Sequence, residues 1–418
     1  MNRAVITGLG IVAPNGVTVE SFWDNVAAGR VMLEDEPLMA ALGLKCHGTA
    51  RCHDFSPAML DDDEILKEAN GLSRFVQLGA AAARQAMYDA GLPPTSEPSD
   101  GGVIFASAVG GAPEMQLVYE ELTRGGTSPI EPALLPPSTY DGIFLDALPA
   151  LFARRHHLTG PTAVLTTGCT AGLDALGLAV DLVRHGDAPF VLAGAGESPL
   201  NGISYATLDV IGCLSRTDGP VSRASRPFDA TRAGFVISEG AAFVVIENAD
   251  HAADRGAKPY AEVLGWASTS NAHHMTDLLP GGKSMESTLQ LALTDAATPA
   301  SAIDYINAHG SSTPQNDLFE TNAIKNVFGD LASTIPISSL KSMIGHSLSS
   351  ASLAAAVATI GAMNRGVIPP TANYVTPDPE CDLDYVVDGA RSQAVGTALV
   401  MASGFGGIHT AAVLKGLR

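Results

Sequence analysis

The amino-acid sequence predicts an α/β protein in which helices cover a parallel or mixed sheet. The first observation is that short apolar, β-branched runs alternate with longer helical segments along the 418 residues of the chain. The second is that the same alternation begins again after Glu247, which indicates two similar halves. The third is composition: 46% of the residues are hydrophobic and only 16% are charged, as expected of a large, well-buried protein.

The first half opens with an apolar run from Arg3 to Val12 that ends in glycine and proline, which predicts a strand. A helical segment from Val19 to Ala28 follows it. The remaining predicted elements of this half are a helix over 72–90, a strand over 102–107, a helix over 145–155, a strand over 163–166, a helix over 171–185 and a strand over 189–193. Such alternation favours a sheet with helices on both faces.

The second half repeats the pattern. Its predicted elements are a strand over 260–267, a helix over 285–297, a strand over 303–307, a helix over 318–327, a strand over 335–338, a helix over 349–363 and a strand over 397–402. In each half a central Ala-rich helix follows a small-residue loop that carries a reactive side chain, Cys169 in the first and His346 in the second. We therefore expect one compact body formed by duplication, with an N-terminal half over 1–250 and a C-terminal half over 251–418.

Charge and composition exclude several function classes. The net charge of −20 argues against a nucleic-acid partner, which needs clustered Lys and Arg. No apolar stretch reaches the roughly 18 residues of a membrane helix, and the first residues indicate a strand and not a signal peptide, so we expect a cytoplasmic protein without a membrane partner. The five cysteines are scattered, which argues against a disulfide framework. Cys46-His47 and Cys52-His53 lack zinc-site spacing, so no metal site is expected.

Cys169 stands in the segment Thr-Thr-Gly-Cys-Thr-Ala-Gly-Leu-Asp over 166–174, at the point where a strand-like run gives way to a helical pattern. This layout places a thiol at a helix N-terminus, where unsatisfied amides and the helix dipole stabilise the nucleophilic thiolate. The alternative from this segment alone is a small buried apolar residue, the commoner fate of a lone cysteine.

Three later segments have the same strand-to-loop character. His309 follows the strand-like run 303–307, and His346 follows a strand and precedes a helix, so each histidine is placed to project into a site at a sheet edge. Each histidine alone is also compatible with a packed or surface position. Phe405 lies in the turn Ser-Gly-Phe-Gly-Gly over 403–407, whose glycines allow close approach of the backbone.

Together these four segments, in this order, resemble the β-ketoacyl-ACP synthases of the thiolase superfamily. The resemblance extends over nearly the whole chain and includes the segments 225–229, 234–241 and 272–275. The Gly-Cys-Thr-Ala-Gly-Leu-Asp segment, together with 315–317 and 379–385, is most similar to the ketosynthase (α) subunit of type II polyketide synthases. The resemblance implies a thiolase fold, in which duplicated βαβαβαββ halves form a five-layered αβαβα sandwich.

The resemblance also implies an acyltransferase reaction, the decarboxylative Claisen condensation of malonyl-ACP with a cysteine-bound acyl or polyketide chain. Cys169 matches the nucleophile, His309 and His346 the histidines that stabilise the enolate, and Lys341 the lysine beside them. The residues matching other family positions are Cys169 and Phe405 for the oxyanion hole, Phe405 for the gate, Ser311 and Thr313 for pantetheine binding, and Asp317 and Glu320 for structural support of the histidine loop.

The implied partners are an acyl carrier protein and a chain-length factor, a ketosynthase-like β subunit that lacks the cysteine and forms a heterodimer with the α subunit. No cofactor is bound by the chain itself, because the substrates arrive on the phosphopantetheine arm of the carrier. One alternative is a fatty-acid elongating 3-oxoacyl-ACP synthase that acts as a homodimer. A second alternative is a non-catalytic partner subunit like the chain-length factor, which the presence of Cys169, His309 and His346 disfavours. Thiolases are disfavoured too, since they carry a second cysteine in the C-terminal Gly-rich turn.

The chain departs from the family at two places. Relatives usually carry a glutamate nine residues after the second histidine, near the lysine, where this chain has Ala355. The usual carboxylate partner of Lys341 is therefore expected to be missing. Relatives also carry basic residues for the carrier near 61–73, which is acidic here; Lys67 and Arg74 remain, and docking is expected to involve other residues such as Arg223 and Arg226, or the partner subunit.

Overall fold

The computed structural model describes residues 2–60, 63–135, 138–216 and 219–417. Its strands are β1 Ala4–Val12, β2 Glu34–Asp35, β3 Gly48–Ala50, β4 Gly102–Ala106, β5 Thr162–Leu165, β6 Phe190–Glu197, β7 Ile237–Ser238, β8 Gly240–Asn248, β9 Ala261–Ser270, β10 Tyr305–Asn307, β11 Ile337–Ser338, β12 Val367–Ile368, β13 Arg391–Ser392, β14 Thr397–Gly404 and β15 Ile408–Gly416. Its α-helices are α1 Val19–Ala27, α2 Pro37–Ala41, α3 Glu64–Asn70, α4 Arg74–Asp89, α5 Ala112–Thr123, α6 Ser138–Ile143, α7 Ala147–Arg155, α8 Ala171–His185, α9 Gly202–Val210, α10 Ala249–Asp254, α11 Lys283–Asp295, α12 Pro314–Phe328, α13 Lys341–Ile344 and α14 Ser349–Arg365.

Ten of these strands form one mixed sheet in the order β11-β10-β14-β15-β9-β1-β8-β6-β4-β5. Read from its outer edge inward, the C-terminal half has the order β11, β10, β14, β15 and β9, and the N-terminal half has the order β5, β4, β6, β8 and β1. Within each half these are the third, second, fourth, fifth and first strands along the chain. The halves join where β1 pairs antiparallel with β9 through only two residue pairs, Val5 with Glu262 and Ile6 with Ala261. The strand order therefore repeats, as the sequence predicts, although the two sheets are hydrogen-bonded into one.

Two central helices lie between the two five-stranded halves of the sheet. Helix α8 packs on β6, β4 and β8, and α14 packs on α8 and on β8, β14 and β6. All residues of α14 from Ser349 to Met363 are buried, which explains why its sequence is built from Ala, Ser and Gly. Helices α4 and α11 cover the outer faces, on β1 and β9 respectively, and this gives the layers of helix, sheet, helices, sheet and helix.

The predicted elements are present, and the structure adds others. The sequence reading does not include β8 and β15, whose residues are buried along most of their length on both faces. Strands of this kind show no alternation of apolar and polar residues, so the period-two signal is absent. Helices α5 and α9 are also additional. Among the described helices, none is long and apolar enough to cross a membrane.

Candidate active site

Cys169 lies in a short 3₁₀ turn, Gly168–Thr170, between strand β5 and helix α8. The sheet ends here, and the chain enters the central helix at Ala171, so the thiol is at the helix start as the sequence predicts. The side chain is well covered, with a relative exposure of 6%. The location thus combines a helix N-terminus with a desolvated thiol, two features that act on its pKa in opposite directions.

Burial has the larger effect: it raises the pKa of the Cys169 thiol to about 12, against the smaller lowering by the charge of Lys341. The carboxyl of Glu197 adds to the increase. Burial therefore opposes the thiolate that the helix start is expected to stabilise at the same sulfur.

A buried carboxylate fixes the nucleophile turn. The Asp174 carboxylate accepts hydrogen bonds from the hydroxyls of Thr167, of Thr170 at 2.8 Å and of Thr410 at 2.5 Å. Thr167 and Thr170 flank Cys169, and Thr410 belongs to β15 in the C-terminal half. Asp174 therefore joins the nucleophile turn to the opposite half of the molecule, a role that the sequence reading did not give it.

His309 lies in a loop that carboxylates of helix α12 hold from behind. Glu320 accepts hydrogen bonds from the amides of His309 at 2.6 Å and Gly310 at 2.8 Å. Asp317 accepts from the amides of Ser312 at 3.2 Å and Phe228 at 2.8 Å. Both carboxyl groups are fully buried and bind backbone, which is the geometry of groups that orient the loop.

Lys341 approaches His309 from the first turn of α13. Its Nζ donates to the His309 carbonyl at 2.5 Å and lies 3.5 Å from Nδ1 of the same residue. A cation beside Nδ1 favours the tautomer with hydrogen on Nε2. Burial lowers the pKa of Lys341, while the nearby carboxyls of Glu320 and Asp317 and the thiol of Cys169 oppose that change. Lys341 therefore has acidic neighbours although position 355 holds alanine and not glutamate, because α12 supplies them.

His346 lies between β11 and α14 in a segment bound to β7. Its amide donates to the Val236 carbonyl at 2.8 Å, and the ring packs edge-on against Phe235 with centroids 4.8 Å apart. The ring centroids of His309 and His346 are 5.4 Å apart. Burial, with help from the Lys341 charge, lowers the pKa of both histidines well below the usual value, so both imidazoles are neutral near pH 7.

The predicted residues converge on one cavity. The two histidines and the thiol share it with the hydroxyl residues Ser311 and Thr313, whose Oγ atoms lie 2.8 Å apart. The residues that form the cavity wall are Cys169, Phe235, Thr276, Leu278, His309, Ser311, Thr313, Gln315, Asn316, His346, Ser403, Gly404 and Phe405. Lys341, Asp317 and Glu320 are outside this wall and act on it through the His309 loop.

Phe405 occupies the turn between β14 and β15. Gly407, at φ 72°, packs so closely that a Cβ there would be 2.0 Å from the Asn271 side chain. A Cβ on Gly404 would be 3.4 Å from the amide nitrogen of Cys169, so this turn and the nucleophile turn touch. The Phe405 side chain is 37% exposed and closes one side of the cavity.

Two further buried groups near the site are not among the residues predicted from the sequence. Glu197, at the end of β6, accepts hydrogen bonds from Ser107 at 3.1 Å and Ser349 at 2.6 Å, and burial raises its pKa to about 7. His409, in β15, lies behind the cavity wall and contacts Ser403. His409 is not among the residues predicted from the sequence, since one histidine in a strand carries no distinctive signal.

The family models for β-ketoacyl synthases match both halves of the chain. The N-terminal domain of the family matches residues 1–252, and its C-terminal domain matches residues 260–375. The chain belongs to the β-ketoacyl synthase family. The match confirms the predicted family and condensing-enzyme class.

Known ketosynthases are similar over the full length. The tetracenomycin polyketide synthase ketoacyl synthase alpha subunit of Streptomyces glaucescens is 41% identical over 414 residues, covering 99% of this chain and 96% of the relative. One solved structure contains the acyl carrier protein of a type II polyketide synthase in complex with its ketosynthase, bound to the hexaketide. A chain of that structure is 38% identical to this chain with a TM-score of 0.92, and both chains are fully covered. A chain of the ishigamide ketosynthase/chain length factor is 30% identical with a TM-score of 0.88, again with full coverage of both. The thiolase fold of this β-ketoacyl synthase is thereby confirmed.

Proposed function

We propose that this β-ketoacyl synthase is the catalytic, chain-elongating ketosynthase subunit of a type II polyketide synthase. The observation that carries the proposal is the convergence of Cys169, His309 and His346 on one cavity. A non-catalytic partner subunit has no use for this set, so the second alternative from the sequence is disfavoured. The similarity to the tetracenomycin α subunit supports the polyketide class.

In the first half-reaction, the Cys169 sulfur attacks the thioester carbon of an acyl chain on the phosphopantetheine arm of the carrier. The new carbon–sulfur bond forms a tetrahedral oxyanion, and the carrier thiol then leaves with the proton. We assign the oxyanion hole to the amides of Cys169 and Phe405, because a Cβ built on Gly404 would lie 3.4 Å from the Cys169 amide nitrogen and Phe405 follows Gly404 directly. Each such donor is worth roughly 3 kcal/mol in comparable sites.

In the second half-reaction, malonyl-ACP loses carbon dioxide, and the resulting carbanion attacks the acyl-Cys169 thioester and releases the thiol. The developing enolate oxygen needs hydrogen-bond donors. A neutral His309 with hydrogen on Nε2 supplies one, because Lys341 occupies its Nδ1 side, and His346 supplies the second. Neutral imidazoles suit this role, since an imidazolium would lose its proton to the carbanion.

Surface features support a partner subunit on one edge of the molecule. Among the described strands, β5 pairs only with β4, so within the described part of the chain its other side is an open sheet edge. The described parts of segment 112–144 also expose large apolar side chains, among them Leu117 at 64%, Leu134 at 64% and Tyr140 at 57%. Exposed apolar groups of this size are typical of a protein interface. Residues 136–137 of this segment lie outside the described residues.

Fewer features indicate where an acyl carrier protein would dock. Arg74, one of the expected contacts, is bound internally, because it forms an ion pair with Glu239 at 2.9 Å. Arg223 and Arg226 form no ion pair with any described carboxylate and are better placed to attract an acidic carrier. The acidic segment near 61–73 includes Asp61 and Asp62, which lie outside the described residues.

The nucleophile is tested by Cys169→Ala. We expect acyl-enzyme formation from acyl-ACP to disappear in intact-protein mass spectrometry, whereas Cys381→Ala, which removes a buried thiol elsewhere, keeps it. Unchanged acylation of the Cys169→Ala protein would contradict the assignment.

The polyketide class is tested by purifying the tagged chain from its native cell and identifying the subunit that co-purifies with it. We expect a heterodimer with a homologue that lacks the cysteine. A stable homodimer that elongates saturated acyl chains at full rate would instead establish the fatty-acid alternative.

A further inference from the structure

A buried hydrogen-bond chain runs from helix α11 to the cavity wall. His409 Nε2 is 2.9 Å from Ser284 Oγ, and His409 Nδ1 is 3.0 Å from Ser403 Oγ. His409 is 1% exposed, and Ser403 directly faces it across the β14–β15 ladder. The mechanism described above uses none of these three side chains.

The imidazole in this chain is neutral, since burial lowers the pKa of His409 to about 4. A neutral imidazole donates from one nitrogen and accepts at the other. If Ser284 donates to Nε2, then Nδ1–H donates to Ser403 Oγ, and the hydroxyl hydrogen of Ser403 is left for another acceptor. No second protein partner of Ser403 Oγ occurs among the described residues.

Ser403 lies near the reacting end of the cavity. It is part of the cavity wall and directly precedes Gly404, where an added Cβ would lie 3.4 Å from the amide nitrogen of Cys169. Cys169 lines the same cavity, so a group bonded to its sulfur begins in the cavity that Ser403 borders. Thr276 and Gln315 also line the cavity, but neither is bonded to His409.

We propose that Ser403, oriented by His409, is a specificity-determining residue that donates a hydrogen bond to the β-keto oxygen of the acyl chain transferred to Cys169. The proposal rests on the proposed function, because it concerns the acyl chain that this ketosynthase loads. Ser403 contacts the substrate, and His409 is a positioning residue that acts through it.

The chemistry distinguishes two substrate classes. An unreduced chain carries a carbonyl oxygen two carbons from the thioester carbon, whereas a saturated chain carries only a methylene there. In the His409 tautomer with hydrogen on Nδ1, the Ser403 hydroxyl keeps its own hydrogen unused and favours a chain that can accept it, since leaving a polar group unpaired is unfavourable. One net hydrogen bond corresponds to a preference of about fivefold.

The test compares acylation of Cys169 by acetoacetyl-pantetheine and butyryl-pantetheine, which have the same chain length and differ in the β-keto oxygen. Rates are followed by intact-protein mass spectrometry for wild type, Ser403→Ala, His409→Phe and His409→Gln. Ser287→Ala is the matched control, because Ser287 is an exposed serine of the same helix as Ser284.

We expect Ser403→Ala to lower the acetoacetyl-to-butyryl rate ratio by about fivefold, with little change in the butyryl rate. His409→Phe lowers the ratio in the same direction, and His409→Gln, which keeps hydrogen-bonding atoms, preserves most of it. An unchanged ratio in Ser403→Ala, or an equal fall with both probes, overturns the proposal even if His409→Phe fails to fold. If wild type is acylated by neither probe nor by acyl-ACP, the proposed function itself fails, which is a different result.

Discussion

Removal of the Asp174 carboxylate tests whether this group holds the nucleophile turn. In Asp174→Ala, the hydroxyls of Thr167, Thr170 and Thr410 lose their common acceptor inside the protein. Thr170 and Thr410 each keep a second acceptor, the Thr167 carbonyl at 3.0 Å and Ser268 Oγ at 3.1 Å, so the Thr167 hydroxyl is the group that loses its partner. An unsatisfied buried polar group costs about 1–3 kcal/mol. An unfolding entropy of about 2.1 cal/mol/K per residue gives roughly 0.9 kcal/mol/K for 418 residues, and Tm is then expected to fall by about 1–3 °C.

The variant is also expected to acylate slowly at temperatures where it is folded. Thr167 and Thr170 flank Cys169, and a displaced thiol loses its alignment with the thioester, so we expect acylation to fall about tenfold or more. Scanning calorimetry and mass-spectrometric acylation measure the two effects. Asp174→Asn retains one acceptor and is expected to lie between wild type and the alanine variant. The control is Asp187→Ala, an exposed carboxylate just after the same helix. If Asp174→Ala melts within 1 °C of wild type and acylates normally, the clamp described here is refuted.

Three other perturbations follow from buried groups. Lys341→Met removes the cation beside His309 Nδ1, so we expect malonyl decarboxylation, measured as carbon dioxide release, to fall about tenfold or more. Unchanged release would contradict the inference that Lys341 keeps the hydrogen of His309 on Nε2. Burial lowers the pKa of His156 from 6.5 to about 4, so the fold loses stability as the pH falls from 6.5 towards 4. His156→Phe should remove this loss, so the stability of the variant relative to wild type should rise by about 2 kcal/mol between pH 7.5 and pH 5. Parallel curves of Tm against pH for the two proteins would contradict this prediction. Gly172→Ala places a Cβ 2.5 Å from the Ser349 carbonyl oxygen, so we expect α8 and α14 to separate and Tm to fall, and an unchanged Tm would mean that the helices shift without cost.

The sequence predicts the fold well because its signals are local. The Ala-rich pattern of α8 predicts a helix over 171–185, and the structure has Ala171–His185. Strand β8 is missed because burial on both faces removes its alternation. The same reason applies to β15, which contributes both His409 and Thr410 to the site.

The candidate site is only partly predictable for a different reason. Cys169, His309 and His346 stand in motifs that a sequence displays directly. The group that holds the nucleophile turn is defined by a contact between distant segments, since Asp174 meets Thr410, 236 residues later. No spacing rule connects such pairs, so only the folded chain brings them together.

The substitution at Ala355 shows how such long-range contacts change what a motif means. With no carboxylate on α14 at this position, the side-chain amide of Asn307 donates to the Ala355 carbonyl at 3.1 Å and to Thr359 Oγ1 at 3.1 Å. Negative charge near Lys341 comes from Glu320 and Asp317 on α12. The lysine is therefore balanced by the same carboxylates that bind the His309 loop. Any change in Glu320 should then alter both the position of His309 and the pKa of Lys341.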